Sequence, residues 1–416
     1  MKKNILLLSV LLGVVLFLLV GCDILAEFLE STSTPEPTPS QVEVEDIART
    51  EKQETFERLH DRPDSVITQI PYIVTAIAAG YDFTLAITDD GSLWGWGNNA
   101  NGELGLGTWE MPLVPRRIMG NIVYIAAGYG HSMAISADGV LWGWGWNGNG
   151  QVGDGTTYTR FYPTRIMENV VHVSTGQYTT YAITGCGSLW GWGFNYNGEL
   201  GIIGDNEYSI PTLIMADVLY VSGGGNHGMA ITTGGELWGW GWNGSGQLGD
   251  GTLDERFSPV YIMSNVYRVS AGHDYTLVIT QGGELWGFGN NNFGELGGGA
   301  VDYHTEPIFI KEGVAAVSAG FAHTMIITNQ YELFATGQNE SGQLGLPQLW
   351  PRRQYVHIMD NIIAVSVGQG HTVALMSDGV LKAWGNNYMG QVGDGSVENR
   401  LEPTVIIKPG GVDRSI

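Results

Sequence analysis

The sequence predicts an all-β fold, a seven-bladed β-propeller with four antiparallel strands in each blade. Two observations predict it. A segment of the form Leu-Trp-Gly-Trp-Gly, with variants, recurs seven times at a constant spacing of 48 residues, and each period contains four short β-type runs. A fixed period of this length means that one supersecondary unit is repeated, each copy burying its apolar face against its neighbours. The leading leucines of the copies are Leu93, Leu141, Leu189, Leu237, Leu285, Leu333 and Leu381.

The four runs of one unit can be followed in residues 122–169. Apolar or aromatic runs occupy residues 122–126, 132–136, 140–144 and 163–167, with turn residues between them. Asp138-Gly139, between the second and third runs, is a two-residue hairpin signal. Four antiparallel strands repeated seven times form a propeller, and a stacked solenoid is the alternative.

The chain must also join its first and last blades. An isoleucine of the fourth run occurs eight times, because Ile70 lies one period before Ile118. We therefore expect one terminal strand, near residues 67–70 or 404–407, to complete a blade built by the other end of the chain. The sequence leaves open which end does so.

The N-terminal segment predicts export and anchoring. Lys2 and Lys3 precede an uncharged apolar run over residues 5–20, which is short for a membrane span and typical of a secretory signal peptide. The run ends in Leu-Val-Gly-Cys at residues 19–22, which resembles the lipobox of bacterial lipoproteins. The resemblance implies cleavage before Cys22 and lipidation of Cys22. A plain signal peptide or anchor with an incidental cysteine is the alternative.

Four segments are predicted along the chain. They are a lipoprotein signal peptide at residues 1–21, a Ser/Thr/Pro-rich and charged tether at 22–64, the propeller at 65–410 and a C-terminal tail at 411–416. The tether composition cannot bury a core and suits a semi-extended spacer. We therefore expect a chain that is exported and lipid-anchored to the bacterial cell membrane, with its propeller outside the cytoplasm.

The charge of the chain limits the classes of partner that it can bind. The formal net charge is −23, with 42 acidic residues against 19 basic ones. Binding of nucleic acids or anionic headgroups depends on clustered Lys and Arg that release phosphate counterions. The sequence therefore predicts no nucleic-acid partner and membrane contact only through the lipid anchor. A partner with a neutral or cationic surface fits better.

Two series of residues do not vary between the copies. The glycine that follows the second Trp position of the run indicates a positive φ or a backbone packed too closely for a Cβ. The asparagine two residues later can hydrogen bond to its own loop. We expect both series to be structural. The glycines are Gly97, Gly145, Gly193, Gly241, Gly289, Gly337 and Gly385, and the asparagines are Asn99, Asn147, Asn195, Asn243, Asn291, Asn339 and Asn387.

A third position holds histidine in four copies and Phe83, Thr179 or Tyr275 in the others. As metal ligands these histidines would have to converge on the axis, and the phenylalanine and tyrosine copies could supply no ligand. We therefore expect structural hydrogen bonds, with no metal site and no cofactor. The four residues are His131, His227, His323 and His371.

Each unit also carries three short motifs in a constant order. A Gly-x-x-His-Ser/Thr element or a variant comes first, then a Trp-Gly pair, then Asn-x-x-Gly-Glu/Gln-Leu/Val-Gly. Residues 128–132, 320–324 and 368–372 are complete copies of the first motif, and 147–153 and 243–249 are copies of the last. The pattern resembles the repeat of the regulator of chromosome condensation family, from about residue 70 to residue 408. Tryptophan-aspartate and kelch propellers fit less well, because their signatures are absent in phase.

The resemblance implies a seven-bladed propeller whose surface loops recognise a protein. The family's namesake is a guanine-nucleotide exchange factor for a small nuclear GTPase and also contacts chromatin, while secreted bacterial relatives include a tight inhibitor of β-lactamases. Fold alone does not choose among these roles. The predicted export and the strongly acidic charge argue against guanine-nucleotide exchange activity. So does the uniform spacing, which leaves no room for an inserted wedge loop.

The copies disagree at positions that suggest a binding patch. The residue after the repeated glycine is a large aromatic in units two, three and four, and an amide elsewhere. Two sets of loops expected on the same face add further rings. Exposed aromatics of this kind supply interface hot spots, but the alternative is that they only pack between blades. The candidate patch consists of Trp146, Phe194, Trp242, Tyr81, Tyr129, Tyr178, Phe321, Tyr196 and Tyr388.

The sequence thus predicts a monomeric, non-enzymatic module that binds a protein through loops on one face. A carbohydrate or cell-wall polymer ligand is the alternative, because exposed Trp and Tyr also stack on sugars. An exchange factor by family analogy, or a hydrolase with carboxylates converging from different blades, is less favoured. No Gly-x-Ser-x-Gly elbow, P-loop or zincin motif is present, so no catalytic residue is nominated.

Overall fold

A computed structural model describes residues 68–299 and 302–409 and confirms the predicted fold. Within these residues 29 strands form seven sheets around a central channel, and no helix is present. Accordingly, no helix of the described residues is long and apolar enough to cross a membrane. The predicted signal peptide, Cys22 and the tether lie outside the described residues.

Each blade has an innermost, a second, a third and an outermost strand, and neighbours in a blade are antiparallel. The innermost strands are β2 (Val74–Ala79), β6 (Ile122–Ala127), β10 (Val170–Thr175), β14 (Val218–Gly223), β18 (Val266–Ala271), β22 (Val314–Ala319) and β26 (Ile362–Val367). The second strands are β3 (Phe83–Thr88), β7 (His131–Ser136), β11 (Thr179–Thr184), β15 (His227–Thr232), β19 (Tyr275–Thr280), β23 (His323–Thr328) and β27 (His371–Met376). The third strands are β4 (Leu93–Gly97), β8 (Leu141–Gly145), β12 (Leu189–Phe194), β16 (Leu237–Gly241), β20 (Leu285–Gly289), β24 (Leu333–Gly337) and β28 (Leu381–Gly385). The outermost strands are β5 (Arg116–Met119), β9 (Arg160–Met167), β13 (Glu207–Met215), β17 (Arg256–Met263), β21 (His304–Lys311), β25 (Arg352–Met359) and β29 (Arg400–Pro409).

The hairpin between the second and third strands differs from the two-residue turn that Asp-Gly suggested. In blade two, Gly139 N donates to Ser136 O at 2.8 Å, Ser136 N donates to Val140 O at 2.9 Å, and only Gly139 has a positive φ, +79°. The loop therefore has three residues, a turn followed by a left-handed glycine. The expectation of a two-residue loop was wrong because Asp138 keeps a negative φ.

A strand from the N-terminal end does join a blade built by the other end of the chain, but it is an addition to that blade and not one of its four strands. Strands β26 to β29 all come from the C-terminal end, so blade seven has its four strands without help from the other end. The strand β1 (Thr68–Ile70) adds as a fifth strand, parallel to β29, with Thr68 opposite Ile407. An outer edge strand offers unpaired backbone groups, and β1 pairs with them.

The blades are joined by one repeated hydrogen-bond arrangement. In blade one the carbonyl oxygen of Glu103 accepts the indole N–H of Trp144 at 2.8 Å and the hydroxyl of Ser132 at 2.6 Å, both from blade two. The carbonyl of Gln391 in blade seven accepts Trp96 Nε1 at 3.0 Å and Thr84 Oγ1 at 2.8 Å from blade one. The same contact that joins consecutive blades therefore also closes the ring.

The repeated histidines extend this arrangement. His131 Nε2 lies 2.9 Å from Thr180 Oγ1, and that hydroxyl donates to Gln151 O at 2.8 Å. Because the hydroxyl proton is used on the carbonyl, the imidazole must donate to the threonine oxygen. The other three histidines contact the next blade's threonine in the same way, at distances of 2.9 to 3.2 Å. All four rings are buried and link their blades to the next, and the described residues contain no group of three or more His, Cys, Asp or Glu side chains that could hold a metal ion.

The glycine that ends the third strand satisfies both conditions that the sequence suggested. Gly145 has φ +98°, and a Cβ placed on it would lie 2.5 Å from the carbonyl oxygen of Gly130. The same backbone is held by a hydrogen bond from Trp146 N to that carbonyl at 2.7 Å. The glycine therefore lets two loops of one blade approach each other.

Replacing Gly145 by alanine should destabilise the propeller by about 2 to 4 kcal/mol, through the positive φ and the overlap with Gly130 O. Urea denaturation followed by circular dichroism measures this. Gly313→Ala is the matched control, because Gly313 also has a positive φ, +75°, but a Cβ on it would meet nothing within 4 Å. Equal losses in both variants would show that φ alone, without the close approach, sets the cost.

The buried histidines should make the fold sensitive to acid. Burial lowers the pKa of His227 to about 4, against about 6.5 in an unfolded chain. Asp274 raises this pKa by a smaller amount, and His273 lowers it further. A depressed folded pKa contributes stability that is present above pH 6.5 and is lost as the pH falls towards 4.

His227→Tyr places the residue of the next blade at this position, where Tyr275 OH lies 3.0 Å from Thr324 Oγ1. The hydroxyl can keep the contact to Thr276 without titrating near neutrality. We expect the variant to lose less stability than the parent between pH 7 and pH 5, measured by urea midpoints at both values. An unchanged pH dependence would exclude His227 as a source of acid sensitivity.

Candidate protein-binding face

Two kinds of loop meet on one face of the propeller. Axial loops connect the innermost and second strands, and outer loops connect the third and outermost strands. In blade two they are residues 128–130 and 146–159. Trp146, in the outer loop of blade two, contacts Tyr178 of the axial loop of blade three with ring centroids 5.2 Å apart. The three-residue hairpins lie on the opposite face, because consecutive strands in each blade are antiparallel.

Six of the predicted patch residues form a continuous aromatic row over blades one to three. The ring centroids of Tyr81 and Tyr129 are 3.9 Å apart, and those of Tyr129 and Tyr178 are 5.5 Å apart. Phe194 lies 6.3 Å from Tyr178 and 6.4 Å from Tyr196, on which it stacks. Contacts of this geometry stabilise ring arrangements beyond simple burial. The aromatic row consists of Tyr81, Tyr129, Tyr178, Trp146, Phe194 and Tyr196.

The row is partly scaffold and partly surface. Tyr196 is 63% exposed, whereas the other five rings are half-buried. The Trp146 indole covers its own loop, since a Cβ on Gly148 would lie 2.8 Å from it. The row therefore keeps fixed rings at the surface, each held by neighbours and each leaving part of its area to solvent.

The remaining predicted patch residues lie apart from the row. Trp242 in blade four covers Gly244, whose Cβ would lie 2.5 Å from the indole, and makes no ring contact within the described residues. Phe321 is 39% exposed and contacts His273 with centroids 4.2 Å apart. Tyr388 in blade seven is 66% exposed. The structure thus brings six of the nine predicted residues together and leaves three as separate rings on the same face.

The outer loops are held rigid by their repeated asparagine. Asn147 Nδ2 donates to Thr156 O at 3.0 Å and to Tyr158 O at 3.1 Å, and its Oδ1 accepts Val152 N at 2.8 Å. In some blades an aspartate follows the last glycine of the Asn-x-x-Gly-Glu/Gln-Leu/Val-Gly motif and also stabilises the outer loop. In blade four, Asp250 pairs with Arg256 at 2.6 Å and accepts a hydrogen bond from Thr252 Oγ1 at 2.8 Å. Asn99, Asn195 and Asn243 make equivalent bonds in their own loops.

Carboxylates at the base of the axial loops were not among the predicted residues. Asp82 accepts Gln391 Nε2 at 2.9 Å, and burial raises the pKa of its carboxyl to about 6. Asp274 occupies the same position in blade five, where it lies 2.8 Å from His273 Nδ1. Burial also raises the pKa of Glu199 and Glu295 in the outer loops. The face therefore places carboxyl groups beside its aromatic rings, and burial makes these groups easier to protonate than exposed carboxylates.

A sequence signal for the charge of this face exists. The axial loops and the described outer-loop residues contain no Lys or Arg at all, and the arginines nearby stand at the start of the outermost strands. Three of those arginines, Arg160, Arg256 and Arg400, pair with loop aspartates. The absence of Lys and Arg from these described loops, rather than the total charge of the chain, distinguishes this face.

Comparison with sequence families places the whole array. The RCC1-like domain matches residues 46–275. The regulator of chromosome condensation (RCC1) repeat matches residues 266–295, 314–343 and 362–391 in one form, and 282–327 and 332–375 in another. The matches at 266–295, 314–343 and 362–391 each begin at the first residue of an innermost strand and recur at the 48-residue period.

Three solved structures share the fold. Human WBSCR16 is 23% identical, with a TM-score of 0.70, and the match covers 77% of this chain and 94% of that one. Prp20p from Saccharomyces cerevisiae, studied for its binding to Gsp1p and histones, is 20% identical with a TM-score of 0.69, covering 80% and 87%. Yeast RCC1 (Prp20) bound to Kap60 is 18% identical with a TM-score of 0.69, and the match covers 91% of each chain.

Because all three solved structures are less than 25% identical to this chain, they support its fold and nothing further. The family match spans more than half of the chain, and the seven blades, their loops and their repeated motifs all agree with it. The chain therefore belongs to the RCC1-like domain family.

Proposed function

We propose that this chain is a membrane-anchored, extracytoplasmic propeller that binds a protein through the axial and outer loops of one face. The observation that carries the proposal is the aromatic row, a set of touching rings from three adjacent blades, beside carboxylates and without a nearby loop cation. Rings held in place lose little conformational freedom on binding.

The chemistry of the face favours a neutral or cationic partner. Asp82 and Asp274 lie at the base of the axial loops, and the net charge of the chain is −23. A cationic surface would be steered towards this face, and a nucleic acid would be repelled. The rings form a surface row rather than the wall of a deep cleft, which suits a protein better than a small substrate. We therefore propose a binding role without catalysis.

The solved neighbours support the general idea of protein recognition, since Prp20p binds Gsp1p and histones and yeast RCC1 was solved with Kap60. Those partners are not carried over to this chain. Its acidic charge and its predicted export argue against a nuclear exchange role, and we propose an exported enzyme or an envelope protein as the class of partner.

Internal repeats supply the variants that test the face. Asparagine occupies the position of Trp146 and Phe194 in other blades, at Asn98, Asn290 and Asn386. The double variant Trp146→Asn/Phe194→Asn should therefore fold, yet lose the centre of the row. Using the full chain in non-ionic detergent, we expect at least about tenfold weaker capture of its partner from envelope extract, as for loss of an interface hot spot.

Tyr261→His is the matched control, because Tyr261 is exposed on the outermost strand β17 and the sixth blade carries His357 there. Unchanged capture by the double variant, or equal loss in the control, would sink the proposal. If the double variant unfolds, Tyr196→Asn tests the same row at an exposed ring, with Asn292 as its internal precedent. Binding of the parent to a glycan array, with no protein captured, would favour the carbohydrate alternative instead.

The anchoring part of the proposal has its own test. Metabolic labelling with a radioactive fatty acid should label the parent chain, and Cys22→Ser should abolish the label and leave the precursor uncleaved. Cys186→Ser, which removes the only other cysteine, should label normally. Absence of label on the parent would overturn the lipid anchor while leaving the binding face untouched.

A further inference from the structure

The innermost strands enclose a central channel of about 690 Å³ whose wall is not uniform. The third residue of each innermost strand faces the channel. Four consecutive blades place large polar or aromatic side chains there, and the other three place alanine. In blade order these residues are Ala76, Tyr124, His172, Tyr220, Arg268, Ala316 and Ala364.

The four large side chains lie on consecutive blades along one side of the channel wall, and they are here called the channel cluster: Tyr124, His172, Tyr220 and Arg268. Tyr124 OH lies 3.3 Å from His172 Nε2, and the His172 and Tyr220 rings pack edge to face with centroids 4.5 Å apart. Burial raises the pKa of both tyrosines, and the positive charge of Arg268 opposes that rise in each. Arg268 lines the same channel as both tyrosines.

Within residues 68–299 and 302–409, Arg268 has no carboxylate partner. It is the only Lys or Arg in the seven innermost strands, which also contain no Asp or Glu. Its contact among the described residues is the ring of Tyr267, 5.3 Å from the guanidinium carbon. By contrast, Arg160, Arg256 and Arg400 all pair with aspartates. An arginine fork without a carboxylate, in a chain with 42 acidic residues, is free to receive an anion.

The rest of the channel wall adds hydrogen-bond donors. Ser222 Oγ accepts Ala271 N at 3.0 Å, and Ser270 Oγ accepts Ala319 N at 2.9 Å, so each hydroxyl proton remains available. Neither serine donates to another group in the described chain. His172 Nδ1 is buried and likewise lacks a hydrogen-bond partner there. Burial lowers the pKa of His172 to about 4, so the ring is neutral at pH 7.

We propose that the channel cluster binds a small oxyanion, a carboxylate or phosphate group, with the Arg268 guanidinium as its charge partner. The hydroxyl of Tyr220 and the neighbouring serine hydroxyls supply further donors. A metal cation does not suit the site, because the channel wall has an arginine and no carboxylate. The site lies inside the ring rather than on the loop face, so it does not rest on the proposed protein-binding function.

The blades themselves supply the variant that tests this site. Arg268→Ala reproduces the alanine found at this position in blades one, six and seven, so the variant should fold. Arg353→Ala removes the same charge from an exposed position on the outermost strand β25 and is the matched control. Titration calorimetry of the full chain in non-ionic detergent, with inorganic phosphate and with succinate as separate probes, measures the binding.

We expect the parent and Arg353→Ala to bind at least one probe with equal affinity. Arg268→Ala should bind it about ten- to hundredfold more weakly, as for a lost hydrogen bond to a charged group. Tyr220→Phe should weaken binding less than Arg268→Ala. Preference between phosphate and succinate identifies the class of oxyanion.

No heat of binding at millimolar probe would overturn the site, and so would equal binding by the parent and Arg268→Ala. Equal weakening in both arginine variants would show that overall charge is responsible, and would also reject the channel cluster. Thermal unfolding followed by circular dichroism confirms that each variant is folded. These outcomes do not depend on whether the aromatic row captures a protein.

Discussion

One backbone carbonyl in each blade organises the propeller. The carbonyl of the Glu or Gln in the outer loop accepts donors from the next blade, as Gln151 O does from Trp192 Nε1 at 2.9 Å and Thr180 Oγ1 at 2.8 Å. Where Gly228 stands in place of the Ser or Thr donor, Tyr181 OH donates to Glu199 O instead, and where Phe288 or Thr336 replaces the indole, the Thr276 or Thr324 hydroxyl still reaches the carbonyl. A buried carbonyl without such partners would be costly, so every copy must deliver a donor to the same place.

This requirement accounts for the constant spacing of the donors and acceptors in the repeat. The indole that reaches the carbonyl lies 41 residues further along the chain, and the Ser or Thr hydroxyl lies 29 residues further. An insertion between them in a strand would move a donor out of reach of its acceptor. Side chains whose atoms do not enter the arrangement remain free to vary, and the aromatic row and the channel cluster both occupy such positions.

The two candidate sites lie on different parts of the propeller and differ in their local charge. On the loop face, carboxylates such as Asp82 accompany rings that neighbouring blades hold in place. Inside the channel, the innermost strands carry no carboxylate, and Arg268 remains the local charge. Low-dielectric walls strengthen each local charge relative to the distant ones. A chain with a large negative total charge therefore carries carboxylates at one candidate site and an arginine without a neighbouring carboxylate in its strands at the other.

Sequence and tertiary structure decided different things. The 48-residue period, the strands of each blade and the roles of Gly145 and Asn147 follow from the sequence, because local turns and repeated contacts between neighbours determine them. The sequence could not decide that β1 adds as a parallel fifth strand, since that depends on which edge is left open after closure. Nor could it show that Tyr178 meets Trp146 and Phe194 while Trp242 stays apart, or that Tyr124 and Arg268 share a channel. The Trp146–Tyr178 contact and the shared channel join residues from different blades, and only the curvature of the closed ring brings those residues together.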